Sequence, residues 1–251
     1  MREELYPNGV EIVTVSMELS GPDASRPYIE AAQPQHPSLL DPTFQMAALF
    51  GVVNIPNVIW IDEAGTIVRP PEPGWPQGHT PIPAELFTAL PPMGRAPNAP
   101  ERSTPAPDQM ALLGSGQDRA GYADALRDWA EHGATSRFVL SPHDVVARSQ
   151  PRPPEKSLGA AHFALANALW TAGRRDAAIQ HFNECHRLQP DNWTYKRQAW
   201  SLVGNERSGG STFGRWAQAP LQGEELAWPF SSDFRSDLTM LEPGEYYPAT
   251  L

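Results

Sequence analysis

Along the first ninety or so residues, short β-branched runs alternate with short helical ones. "GVEIVTVSME" (9–18) carries apolar residues on both parities, the pattern of a strand buried on both faces. "DASRPYIEAA" (23–32) predicts a short helix capped by Asp23 or Ser25. "HPSLLDP" (36–42) reads as an extended piece ending at a turn. "PTFQMAALFGV" (42–52) reads as a helix, with Phe44, Ala47 and Ala48 on its inner side and Phe50 or Gly51 at its end. "NVIWID" (57–62) is an apolar strand, "DEAG" (62–65) a tight turn, and "TIV" (66–68) an antiparallel return. "PAELFTAL" (83–90) places proline in the first turn of a short helix. Strands and helices in this order predict an α/β domain.

The pattern then changes twice. Residues 70–110 hold 12 of the 28 prolines, which excludes regular structure there apart from the short helix. This stretch reads as a Pro-rich wrap and linker, most clearly over 91–107. Beyond it the period is helical. "QDRAGYADALRDWAEHG" sets Tyr122, Leu126 and Trp129 on one face and stops at Gly133. "EKSLGAAHFALANALWTAG" and "RRDAAIQHFNECHRLQP" are two helices separated at Gly173, and "DNWTYKRQAWSLVG" is a further one with an Asp/Asn cap. The last segment is rich in Gly, Pro and aromatics. Trp216, Trp228, Phe230, Phe234, Tyr246 and Tyr247 are too apolar for a free tail and predict irregular docking on the body. The expected organisation is an α/β domain over 1–92, a Pro-rich linker over 93–115, a helical region over 116–205 and a docked tail over 206–251.

Composition narrows the partners. The 251 residues carry a formal charge of −10. Such a surface repels phosphate backbones and anionic membranes, so neither nucleic acid nor a membrane surface is an expected partner. No apolar run approaches the ~20 residues needed to span a bilayer. The start, "MREELYPNGVEIV", has no basic region followed by an apolar one, so the chain reads as cytoplasmic if Met1 is its start. The single cysteine, Cys185, allows no internal disulfide and no zinc-ribbon pair, and no cofactor is implied.

"GVEIVTVSME", "HPSLLDPTFQMAALFGV", "NIPNVIWID" and "EAGTIV", in this order, resemble the thioredoxin-like superfamily, most closely its peroxiredoxin/TlpA/ResA branch. The likeness covers about residues 1–90 and implies an N-terminally incomplete thioredoxin-like α/β domain. It makes Pro56 the cis-proline of the fold. It also makes Ile55, Pro56 and Asn57 a peptide-binding loop, with Ile55 offering backbone groups; the alternative is a trans proline where a strand begins. The family's Cys-x-x-Cys site does not carry over. "REELYPNG" resembles the end of the first helix, and the strand and cysteine motif before it lie outside the sequence. The resemblance therefore implies a true start upstream of Met1, through a misplaced start or a selenocysteine codon. Thiol–disulfide or peroxide chemistry is implied only for that longer form, because it needs a low-pKa thiolate.

The helical segment resembles a tetratricopeptide repeat. With Pro190 on the motif's terminal proline, Leu165, Ala178 and Phe182 fall on the expected Leu, Ala and Phe. Ala166, Leu169 and Cys185 stand for Gly, Tyr and the second Ala, and His162 departs from Trp. Small residues then let the paired helices approach while large ones fill between them. The resemblance implies a small all-α repeat region that docks a protein or peptide.

Single residues offer little further chemistry. Cys185 reads as a small packing residue. His181 and Cys185 are i, i+4, yet no further ligand stands at metal spacing. His36 and Asp41 lie five apart on an extended piece. "SGGSTFG" (208–214) lacks the Lys of a P-loop. Three functions follow: a redoxin in a longer form with a helical partner-binding region, a non-catalytic peptide- or protein-binding module, or a structural interaction protein. The oligomeric state stays open.

Overall fold

The computed structural model describes residues 1–74, 93–103, 119–149, 152–208, 215–248 and 251. They fall into two compact units. The first holds the described residues up to 74, those from 119 to 153 and residue 251; the second holds 93–103 and those from 154 to 248. The helix near 119–132 falls with the strands and not with the paired helices, and the described linker residues 93–103 fall with the paired helices.

In the first unit, helix α1 (Arg2–Leu5) leads to strand β1 (Thr14–Ser16). Helix α2 (Pro22–Ala32) connects β1 to β2 (Ser38–Leu40), which pairs with it in parallel, Val15 opposite Leu39. No side chain caps α2; its N-cap is Gly21 rather than Asp23 or Ser25. Helix α3 (Gln45–Phe50) follows, and strands β3 (Asn57–Ile61) and β4 (Ile67–Pro73) form an antiparallel hairpin. Asp62 builds the hairpin turn: its Oδ1 accepts from the backbone N–H of Ala64 and of Thr66, and Gly65 takes φ +80°. Helices α4 (Arg119–His132) and α5 (Pro142–Arg148) complete the unit.

The thioredoxin-like fold class is corrected here. Among the described residues there are two separate sheets of two strands each, β1–β2 and β3–β4, and no central sheet joins them. The run 9–18, expected to be buried on both faces, forms only the three-residue β1, and Val13 before it is 51% exposed. Apolar residues on both parities permit two-sided burial but do not supply the covering layers. The apolar face of the hairpin is covered by a helix instead. Leu5, Trp60, Tyr122, Ala125 and Leu126 form the core, with Val58, Val68 and Trp129 against it. β4 also runs further than expected, through Pro70 and Pro71 to Pro73. Proline is tolerated where its missing N–H faces no ladder partner, as on a two-stranded ribbon.

The second unit is helical. Helices α6 (Pro154–Thr171) and α7 (Arg175–Leu188) form a hairpin turned at Gly173, where φ is +76°. Helix α8 (Trp193–Ser208) follows; Asn192 caps it by accepting from the N–H of Tyr195 at 3.0 Å. Short helices α9 (Arg215–Gln218) and α10 (Phe234–Thr239) belong to a C-terminal segment laid on this core. Trp193 meets the rings of Phe234 and Tyr246, and Trp228 meets Phe230. The described part of the expected linker, 93–103, is tied down as well. Gly94 donates to the carbonyl of Pro220 and Ala96 to the carboxylate of Asp233, while Arg102 pairs with Glu242. The helix expected over 83–90, the rest of the linker and the glycine-rich 209–214 lie outside the described residues.

Candidate functional site

The repeat residues gather on one side of the α6–α7 hairpin, with two exceptions. Ala166, Ala178, Phe182 and Cys185 are fully buried. Phe163 joins them. It meets Phe182 edge-on at 5.8 Å between centroids and stacks on Tyr195 of α8 at 4.0 Å. Leu169 is half-buried, and Pro190 is exposed in the turn before α8. Leu165 corrects the expectation: it is 46% exposed and packs no repeat core. The inner face of α6 runs through Gly159, Phe163 and Ala166, and seven residues before Leu165 on the outer face stands Leu158, 50% exposed. Residues seven apart on a helix share a face. From Ser157 to Gly173 there is no Asp, Glu, Lys or Arg. α6 therefore shows solvent an uncharged face with two large aliphatic side chains.

His162, at the position where the motif has Trp, does not fill that role. Its Nδ1 lies 2.8 Å from Nδ1 of His181 on α7, with the rings 5.0 Å apart. His181 thus faces α6 and not Cys185. Among the described residues no group of three or more His, Cys, Asp or Glu is placed to hold a metal. Cys185 is buried, and desolvation pushes its thiol up to about 12, opposed only by the positive field of Lys196. A thiol so placed is a packing group and not a nucleophile.

In the first unit the Ile55–Pro56 peptide bond is cis. The N–H of Ile55 does not face outward for a ligand: it donates to Oδ1 of Asn54, itself buried. Asn57 begins β3 opposite Pro73, and its Oδ1 is buried without a hydrogen-bond partner. Asp41, weighed with His36, has a local duty. Its two oxygens accept from the N–H groups of Gln45 and Met46 and from Thr43, holding the start of α3.

One buried polar cluster was not read from the sequence. Arg69 and Glu72 on β4, 3% and 4% exposed, form a two-pronged pair at 2.6 and 2.8 Å. Arg69 also donates to the carbonyl of Phe138. The Tyr122 hydroxyl donates to Glu72 and accepts from the Trp60 indole N–H. Burial, followed by the charge of Glu72, holds that phenol far above its usual range. Two prolines separate Arg69 from Glu72, and the sequence shows no signal that such a pair is buried.

No family model matches the chain, and no curated protein or solved structure matches it. Among the described residues, no helix is long and apolar enough to cross a membrane.

Proposed function

We propose that this chain is a non-catalytic protein-binding module whose α6–α7 hairpin presents the outer face of α6 to an apolar or amphipathic peptide segment of a partner. The observation that carries the reading is the pair Leu158 and Leu165, exposed on one face of a helix with no charged residue between 157 and 173. Exposed aliphatic side chains on a helix whose opposite face is already packed leave apolar area in water, and covering it with a partner recovers that free energy. An amphipathic helix is the natural complement, with anchors three and four residues apart. The Ile55–Asn57 loop takes no part in this reading, because its Ile55 donor is engaged internally. Cys185, the chain's single thiol, is buried and undissociated near neutral pH.

Peptide display against the intact chain tests this. Apolar, helix-forming peptides are expected to be enriched. The double variant Leu158→Glu, Leu165→Glu, whose sites are exposed and so spare the core, is expected to lose at least tenfold in affinity while its circular dichroism is unchanged. Equal binding by the variant, or no enrichment by the native chain, refutes the proposal.

A further inference from the structure

We propose that His162 and His181 form a proton-operated latch between α6 and α7, closed while the pair carries at most one added proton and opened by the second. The two Nδ1 atoms lie 2.8 Å apart across the hairpin, within hydrogen-bond distance. Between two neutral imidazoles this contact requires opposite tautomers, one with its proton on Nδ1 and the other with a bare Nδ1. Adding one proton preserves the bond and makes it charge-assisted, because the imidazolium donates to its neutral partner. Adding a second leaves two N–H groups pointed at each other and two positive charges in contact. The bond is then lost and replaced by repulsion.

The surroundings leave little to offset that repulsion. On α6, the residues one turn either side of His162 are Leu158, Gly159, Leu165 and Ala166, all without charge. On α7, one turn from His181, stand Ala177, Ala178, Glu184 and Cys185. Glu184 is the carboxylate whose field couples to His162, and it is already held by both prongs of Arg187. Cys185 stays a neutral thiol. From α8, the Lys196 charge reaches Cys185 and His186 and is paired with Asp237. Imidazole is the side chain whose ordinary charge change falls between about pH 5 and 8, which sets the two pH values compared below. The inference concerns the hairpin itself and does not depend on what α6 binds.

A double-mutant cycle on the full chain, with His162→Leu, His181→Leu and the pair, measures the coupling between the two rings. At pH ~7.5 the coupling is expected to favour folding, raising the folding equilibrium constant roughly two- to tenfold, the range of one net hydrogen bond. At pH ~5 it is expected to reverse sign. Every other titrating group is present in all four proteins and cancels. A coupling absent at pH ~7.5, or the same at both pH values, overturns the latch, since simple ring packing does not change with protonation. Should a variant fail to fold, imidazole ¹⁵N shifts of the unaltered protein decide. One bare and one protonated Nδ1 near pH 7.5, followed by two separate titration steps, is the expected result. Two rings titrating alike and independently is the overturning one.

Discussion

At the scale of single residues, the chemistry of this chain is that of buried polar groups. Arg69 and Glu72 neutralise each other within the core of the first unit, and the Tyr122 hydroxyl donates to Glu72 while accepting from the Trp60 indole N–H. Such a pair adds little net stability but is costly to break. Glu72→Gln keeps the shape and leaves the Arg69 cation without its counterion. It is expected to destabilise the chain by about 3–5 kcal/mol in urea denaturation; a loss below ~1 kcal/mol would mean that water reaches Arg69. In the second unit His186 sits among Trp200 and Phe230 with no partner for its Nε2. Burial, aided by Lys196, lowers it from 6.5 to about 3. The unfolded chain therefore binds the extra proton first. The stability due to a neutral His186 is complete above pH about 6.5 and is lost as pH falls toward about 3. Relative to His186→Phe, the native chain should lose stability on going from pH ~7 to ~4. A pH-independent difference between the two would show that the ring is hydrated.

At the scale of elements, the helices were far more legible than the sheet. The period of Tyr122, Leu126 and Trp129 set the inner face of α4, and Gly173 placed the turn between α6 and α7 correctly. Helical hydrogen bonds close within one segment, so period and punctuation in the sequence suffice. Leu165 and Phe163 show where this stops. Both are large and apolar, they lie two apart, and only the packing against Phe182 and Tyr195 chose Phe163. Strands depend on partners distant in sequence, and the run 9–18 found a neighbour for three residues only. The hairpin end shows how tight a non-local contact becomes. A Cβ added to Gly74 would lie 2.6 Å from Tyr122 Cζ and 2.7 Å from Val58 Cγ2. Gly74→Ala is thus expected to cost about 1–3 kcal/mol, although replacing glycine by alanine ordinarily lowers the entropy cost of folding. A neutral or stabilising result by thermal melting would show that the backbone at Gly74 shifts to admit the methyl group.

At the scale of the whole molecule, two units each have their own buried core, one around Trp60 and one around Phe182 and Trp200. Separate cores predict two calorimetric transitions. Glu72→Gln should lower one of them and Phe182→Ala the other; a single transition moved by both would show one cooperative body. The sequence by itself determined the longer helices, the Asp62–Gly65 turn, the acidic net charge and the single thiol, because these follow from residue type and short-range spacing; the short helices at 142–148, 215–218 and 234–239 did not show in it. Only the tertiary structure decided that two small sheets form in place of one. It also decided that the 119–132 helix joins the strands, that Leu165 faces solvent, and that His162 meets His181. Each of those outcomes is a choice between surfaces far apart along the chain, and local periodicity holds no information on which surface is available to cover which.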